Sequence, residues 1–216
     1  MSSDDALRRA SFVLGLRSMG ITDHRLVSAF EATRREVFAP DQYAADAYAD
    51  RLIPIACGQI MEAPSVLARL LQAVPVEADM SVLEIGAGSG YFSALLGKLA
   101  RRVVALERFR SLVEGARASL ESQSISNVDL ALCDGHGGWP SAGPYQAIFV
   151  TGSVESPSPA WLEQLAPGGR LIAPIGPKVG AQTWVRFSKD ADGGIEQEVT
   201  APAFAVPLEQ GLARAL

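Results

Sequence analysis

The sequence has few of the features that would place it at once in a disulfide-rich, metal-binding or membrane class. Only two cysteines occur in 216 residues, and the separation of Cys57 and Cys133 fits no metal-ligand spacing. We expect both to be reduced thiols in a reducing compartment. No run of 18 or more apolar residues occurs, which argues against a transmembrane helix. The acidic start, residues 1–5, does not resemble a secretory signal, so we expect a cytoplasmic protein.

Long runs of positive charge are also missing. The formal net charge is −5, and Lys and Arg occur together at most in pairs. Nucleic-acid binding depends on clustered cations that neutralise phosphates and release counterions. We therefore expect neither a nucleic-acid partner nor a membrane partner, and no metal site is predicted. The sequence contains no signal for the oligomeric state.

The composition is that of an ordinary globular protein. Apolar residues make up 48% and charged residues 20% of the chain, with 20 glycines and 13 prolines. A length of 216 residues suits one α/β domain. We predict a single domain over residues 1–216, with an N-terminal helical cap and binding loop in 1–75 and a Rossmann-like core in 76–216.

The hydrophobic periodicity predicts a doubly wound, mostly parallel, seven-stranded sheet with an N-terminal helical extension. Strands alternate with helices after residue 80, which is typical of such sheets, whose ligands bind beyond the carboxyl ends of the strands. Helices are predicted at 4–19, 23–32, 41–48, 64–73, 91–99, 111–123 and 159–165. Strands are predicted at 81–85, 102–106, 128–133, 147–151, 170–175, 183–188 and 204–207.

A glycine-rich turn joins the first of these strands to the following helix. Gly86, Gly88 and Gly90 alternate in Val82–Tyr91, directly after a buried strand. Glycine lets the backbone turn sharply and lets a ligand approach with no Cβ in the way. The simpler alternative is a tight turn that binds nothing.

Two further strand ends carry residues that suit a nucleoside. Glu107 ends the second core strand, 21 residues after Gly86, where a carboxylate can accept hydrogen bonds from ribose hydroxyls. Asp134 and Gly135 end the third, where the acid can accept from an adenine amine and the glycine lets the ring lie close. Each carboxylate alone could be a solvated surface group, but their agreement at successive strand ends favours a ligand.

The spacing of the glycines favours S-adenosylmethionine over a nicotinamide cofactor. Dinucleotide-binding turns follow the pattern GxGxxG, and here the position of the third glycine of that pattern is Tyr91. Glu84, within the preceding strand, also suits a ligand with a positively charged amino group. We therefore predict S-adenosylmethionine as cofactor, with S-adenosylhomocysteine as product.

Over nearly its whole length the chain resembles the protein-L-isoaspartate O-methyltransferase family. The segments that carry the resemblance are 19–23, Glu36 to Pro40, 47–50, 52–55 with Gly58 and Gln59, 82–91, 127–128, 134–135, 164–165, 167–171, 174–176 and 205–208. The resemblance implies methyl transfer to the free α-carboxylate of an isoaspartyl residue. It also implies that the loop 56–64 roofs the cofactor, with Gln59 and Ile60 as binding residues.

Within that loop the sequence departs from the family. After Gly-Gln the family has Thr-Ile-Ser, whereas this chain has Ile60-Met61-Glu62, so that Glu62 occupies the position of the active-site serine. Glu62 is the predicted catalytic residue, and it could act as a general base or charge partner for a hydroxyl or amine. It could instead be a non-catalytic loop residue, or belong to a retained carboxyl methyltransferase whose donor has moved.

These possibilities leave the methyl acceptor open. The acceptor is a protein or peptide carboxylate if the family activity is retained, and a hydroxyl or amine of another substrate if Glu62 has changed it. A third possibility is a regulatory protein that binds the cofactor without turnover. Since methyl transfer depends mainly on orientation, no catalytic triad is expected.

Overall fold

A computed structural model of the chain describes residues 3–213. The helices are α1 Ser3–Ser18, α2 His24–Ala32, α3 Pro64–Ala73, α4 Tyr91–Leu99, α5 Arg110–Ser122 and α6 Pro159–Glu163. The strands are β1 Ile53–Pro54, β2 Ile60–Met61, β3 Ser81–Ile85, β4 Arg102–Glu107, β5 Val128–Leu132, β6 Tyr145–Val150, β7 Leu165–Ile175, β8 Gln182–Lys189 and β9 Ile195–Ala203. Short 3-10 turns lie at Arg35–Phe38 and Asp41–Asp46.

The seven long strands form one sheet in the order β5-β4-β3-β6-β7-β8-β9. The five strands β3 to β7 run parallel, and β8 and β9 continue the sheet in antiparallel pairing. The chain order reverses at β3, which has β4 on one side and β6 on the other. The predicted mostly parallel, seven-stranded sheet is confirmed, and ligands of such sheets bind at this switch point.

The last strand lies earlier than the sequence indicated. Residues 204–207 do not form it; β9 is Ile195–Ala203, an edge strand whose side chains are mostly exposed. Its consecutive polar residues Glu196, Gln197 and Glu198 hide the alternation that marks a half-buried strand. Similarly, β7 begins at Leu165 and not at the predicted residue 170, and α6 ends at Glu163, two residues before the predicted end.

Hydrophobic side chains on one sheet face join the N-terminal helices to the core. Phe12 and Leu16 of α1 and Phe30 of α2 lie in the same buried cluster as Leu95 of α4 and Phe149 of β6. Asp23 caps α2 by accepting from the Leu26 amide at 2.9 Å. A second cluster, which includes Trp161 of α6, covers the other face. The described residues contain no helix that is both long and apolar enough to cross a membrane.

Candidate functional site

A cavity of about 250 Å³ opens at the carboxyl ends of β3, β4, β5 and β6. Strand ends meet here because all four strands are parallel. Seven of the ten residues predicted for the site line this cavity, and they are Gln59, Ile60, Glu62, Gly86, Gly88, Glu107 and Gly135. Glu84, Gly90 and Asp134 are outside the lining.

The glycine turn follows β3 with positive φ angles at Gly86, Gly88 and Gly90. A Cβ on Gly86 would lie 2.6 Å from Thr151 Oγ1, and one on Gly90 would lie 2.8 Å from the Cβ of Ala116. Gly90 therefore serves the packing of α4 against α5, and does not face the cavity. At Gly88 the nearest side-chain atom is 3.4 Å from the added Cβ. Of the three glycines, only Gly88 would place an added Cβ in ordinary van der Waals contact without a clash.

Glu107 fixes the turn to the end of β4. Its Oε2 accepts from the Gly88 amide at 2.9 Å, and its Oε1 accepts from the amides of Arg108 at 2.7 Å and Phe109 at 2.9 Å. A carboxylate offers about four lone-pair directions, so about one remains. Because Glu107 also lines the cavity, that acceptor is available to a ribose hydroxyl.

Asp134 is occupied by protein donors. Its Oδ1 accepts from the His136 amide at 3.0 Å and lies 2.9 Å from His136 Nδ1, while its Oδ2 accepts from the Gly211 amide at 2.8 Å. Burial acts to raise the pKa of Asp134, but the amides of His136 and Gly211 and the His136 ring hold it below its usual range. The neighbouring Gly135 does line the cavity, and its carbonyl accepts from Trp161 Nε1 at 2.8 Å.

Glu84 belongs to β3 and does not line the cavity. Its side chain is fully buried, with one oxygen accepting from Ser93 Oγ and the other without a partner in the described residues. Burial raises the pKa of Glu84 to about 8, with Glu107 adding to the effect and Ser93 opposing it. Burial thus favours the neutral form of Glu84, which is not among the residues that line the cavity.

The roof of the cavity is the short hairpin of β1 and β2. Pro54 pairs with Ile60, and the Ile55 amide donates to the Gln59 carbonyl at 2.9 Å. Cys57 turns the chain with a φ of 61°. This tight hairpin presents Gln59, Ile60 and then Glu62 to the cavity.

Glu62 is held by its backbone, with its carboxyl at the cavity wall. Arg35 Nη2 donates to the Glu62 carbonyl at 2.7 Å, and a Glu62 Oε1 accepts from the Ala63 amide at 2.8 Å. Burial raises the pKa of Glu62 to about 7; the Ala63 amide and Arg35 oppose this, and Asp50 adds to it. The Arg35 guanidinium is itself fully buried, 4.5 Å from the centre of the Tyr91 ring. Glu62 can thus be neutral or ionised near neutral pH.

Several lining residues were not predicted from the sequence. Thr151 follows β6 and donates to the Gly86 carbonyl at 2.6 Å, which a search of every strand end could have found. The apolar residues of the lining carry no functional group by which the sequence alone could have identified them. The further lining residues are Ile85, Leu106, Arg108, Phe109, Cys133, Gly152 and Val206 to Glu209.

The chemistry of the lining fits an adenosine-bearing ligand. Ile85, Leu106 and Phe109 provide apolar walls, Glu107 provides an acceptor, and Gly88 provides close backbone approach. Among the residues that the structure describes, no three His, Cys, Asp or Glu side chains meet as a metal site. A switch-point cavity of this kind, on this strand order, defines a class I methyltransferase, an enzyme whose methyl donor is S-adenosylmethionine.

Comparison with known proteins identifies the family. The family model for protein-L-isoaspartate(D-aspartate) O-methyltransferase matches residues 8–213. The chain is 39% identical over 214 residues to the protein-L-isoaspartate O-methyltransferase of Ruegeria sp., covering 99% of each chain. It is 40% identical over 215 residues to that of Xanthobacter autotrophicus, covering 100% of this chain and 98% of the relative. The chain belongs to the protein-L-isoaspartate(D-aspartate) O-methyltransferase family.

Solved structures agree with this assignment. A protein-L-isoaspartate O-methyltransferase superposes with a TM-score of 0.84 at 29% identity, over 94% of this chain and 67% of that one. A second, from Plasmodium falciparum and in complex with S-adenosyl-L-homocysteine, superposes with a TM-score of 0.80 at 21% identity, over 93% and 98% of the two chains. The second likeness concerns the fold alone.

Proposed function

We propose that this enzyme methylates the free α-carboxylate of isoaspartyl residues in proteins and peptides. Membership of the family over residues 8–213 supports this acceptor. The observation that carries the proposal is the environment of Glu62, which makes its protonated form accessible near neutral pH. A protonated carboxyl can donate a hydrogen bond, as the family's serine hydroxyl does.

The acceptor determines what the chain must supply. S-adenosylmethionine, when bound, supplies an electrophilic methyl group. A carboxylate is already ionised, so it needs no general base and must only be held and oriented. An ionised Glu62 would repel it, by about 4 kcal/mol at 4 Å and an effective dielectric of 20. A neutral Glu62 removes that repulsion and adds a donor.

The approach of an anionic acceptor itself favours the neutral form of Glu62. A like charge nearby raises the pKa of a buried carboxyl, as in acid pairs that share one proton. The pKa of Glu62 is about 7 in the free protein, with burial as the main cause. Binding of a substrate carboxylate raises it further, so the productive state contains a protonated Glu62.

The same pKa favours a second candidate, transfer to a hydroxyl or amine. There an ionised Glu62 acts as general base, a role for which a pKa near the working pH is best suited. The half-buried carboxyl at the cavity wall supports this reading as well. The two candidates require opposite protonation states of one side chain, so the pH dependence distinguishes them.

The test is the pH dependence of kcat/KM for an isoaspartyl peptide. Formation of S-adenosylhomocysteine is measured between pH 5.5 and 9, with the matching aspartyl peptide as the negative control. We expect kcat/KM to fall about tenfold per pH unit above the pKa of Glu62. In Glu62→Ser and Glu62→Gln, which cannot ionise, this fall disappears.

Two results would contradict the proposal. If the isoaspartyl peptide is not methylated while a hydroxyl or amine substrate is, with a rate that increases as pH rises through 7, Glu62 is a base and the second candidate holds. If S-adenosylhomocysteine binds but no acceptor is methylated at any pH, the chain is a regulatory binder.

For the cofactor we propose direct contacts from the lining residues and indirect roles for the other three. Gln59 and Ile60 contact it from the roof, and Gly86, Gly88, Glu107 and Gly135 from the strand ends. Glu84 and Gly90 support the turn from below. Asp134 is reached only after the Gly211 amide leaves it.

We further propose that the enzyme acts in the cytoplasm. Cys57 and Cys133 are free and half-buried, as suits a reducing compartment. Fractionation of cells that carry a tagged copy would contradict this if the protein were found outside the cytoplasmic fraction.

A further inference from the structure

After β9 the chain returns to the carboxyl edge of the sheet and runs along the cavity. Its first part is tied to the segment after β6: the Ser153 amide donates to the Val206 carbonyl, and the Leu208 amide donates to the Ser153 carbonyl, both at 2.9 Å. Glu209 then pairs with Lys178 at 2.8 Å. The side chains from Val206 to Glu209 form one wall of the cavity.

The next residues, 209–213, which we term the strap, are attached on the opposite side of the cavity. The Gly211 amide donates to Asp134 Oδ2 at 2.8 Å, and Arg108 Nε donates to the Gly211 carbonyl at 2.8 Å. The Ala213 amide donates to the Arg108 carbonyl at 3.2 Å. Arg108 follows β4 and Asp134 follows β5.

The strap therefore crosses the mouth of the cavity. In the sheet order β5-β4-β3-β6, the attachment at Ser153 follows β6 and the attachment at Asp134 follows β5. Three strand spacings separate these strands, a distance of about 14 Å. The path passes over the end of β3, where Gly86 and Gly88 face the cavity.

The strap leaves a cavity that is small for a cofactor. Its volume of about 250 Å³ is below the ~300–1,000 Å³ of typical ligand sites. Asp134, the expected acceptor of the adenine amine, is outside the lining, and its Oδ2 accepts from the Gly211 amide. The strap itself is mostly solvent-exposed, with Leu212 50% exposed, so no core packing holds it in place.

We propose that the strap is an autoinhibitory latch, in which the Gly211 amide occupies Asp134 at the site where the adenine end of the cofactor must bind. Binding exchanges one donor for another: the Gly211 amide leaves Asp134 Oδ2, and an amine of the ligand replaces it. The apparent affinity is then the intrinsic affinity reduced by the fraction of molecules with an open strap. This proposal concerns the cofactor only and does not depend on the identity of the methyl acceptor.

The latch makes an unusual prediction, namely that damaging it improves binding. Gly211 has a φ of +79° and no atom within 4 Å of an added Cβ, so Gly211→Ala adds backbone strain in the latched state without a clash. A non-glycine residue in this region costs enough to shift the latch about tenfold towards the open form. Gly193→Ala is the matched control, because Gly193 has a φ of +91° and equally open surroundings in the turn between β8 and β9.

Calorimetric titration with S-adenosylhomocysteine, and with adenosine alone, measures the effect. We expect Kd to decrease about tenfold in Gly211→Ala for both ligands and to remain at the wild-type value in Gly193→Ala. The gain in affinity for adenosine alone locates the latch at the adenine end of the cofactor site. An unchanged or weaker affinity in Gly211→Ala would overturn the proposal, since a merely structural strap loses affinity when strained.

Hydrogen exchange provides a second readout that involves no turnover. In the free wild-type protein the Gly211 amide is expected to exchange slowly, because it is bonded to Asp134. Saturating S-adenosylhomocysteine should accelerate its exchange, although most amides around the cavity become more protected. Increased protection of the Gly211 amide on binding would show that the strap closes over the ligand. It would contradict the proposal that a ligand amine replaces the Gly211 amide on Asp134.

Discussion

At the scale of single residues, Glu62 links function to stability. Its pKa is about 7 in the folded protein and 4.5 in the unconstrained group, with burial as the main cause. The folded state therefore binds more protons than the unfolded state between these values. The contribution of Glu62 to the free energy of unfolding is fully present below pH 4.5 and is lost as pH rises through 7.

From this we expect Glu62→Gln to stabilise the protein at alkaline pH only. At pH 8.5 the variant should be more stable than the wild type by about 2–3 kcal/mol, and at pH 4 the two should be nearly equal. The amide oxygen of Gln can still accept from the Ala63 amide. Urea unfolding at the two pH values measures the difference.

A suitable control is Glu114→Gln, which removes an exposed carboxylate from α5. Its effect should be small and similar at both pH values. If Glu62→Gln gives no gain at pH 8.5, Glu62 titrates normally and the donor role proposed for it is untenable.

At the scale of elements, the end of β5 packs against the end of β3 with no room for a side chain. A Cβ on Gly135 would lie 2.3 Å from Ile85 Cγ2, whereas one on Gly137, two residues later, has open space. We expect Gly135→Ala to lower stability by about 1–3 kcal/mol through overpacking. It should also weaken binding of S-adenosylhomocysteine, because Gly135 and Ile85 both line the cavity.

Gly137→Ala is the paired control and should leave both properties unchanged. The measurements are urea unfolding and calorimetric titration on the two variants. Equal behaviour of the two alanine variants would mean that the end of β5 can shift away from β3, and that Gly135 is not required for the cavity.

The elements themselves were largely predictable, because alternating apolar strands and amphipathic helices leave local signals. The glycine turn and Glu107 follow from position alone, at the ends of adjacent parallel strands. β9 could not be found by periodicity, since it is an exposed edge strand. The latch between Gly211 and Asp134, 77 positions apart, has no local signal at all.

At the scale of the whole molecule, the cavity joins segments from the roof hairpin to the wall at Val206 to Leu208, so a ligand there should stabilise the entire fold. With S-adenosylhomocysteine at 100 times its Kd, linkage contributes about 2.7 kcal/mol. For a chain of 216 residues this corresponds to an increase in Tm of about 5–10 °C. Homocysteine, which lacks the adenosine part, should give a much smaller shift.

Differential scanning calorimetry with each ligand tests this expectation. A single transition that moves as a unit is expected, because α1, α2 and α4 share one hydrophobic cluster with β6. If only part of the melting curve moved, the N-terminal helices would unfold separately from the sheet.

The exposed edge strand has a consequence for handling the protein in solution. β9 offers unpaired backbone groups along its outer side, and Val199 there is 65% exposed. The carboxylates of Glu196 and Glu198, and Pro202 with no amide hydrogen, discourage sheet-to-sheet joining between molecules. Salt screens the repulsion between those carboxylates, so buffers of high ionic strength will promote self-association through this edge, and low ionic strength will suppress it.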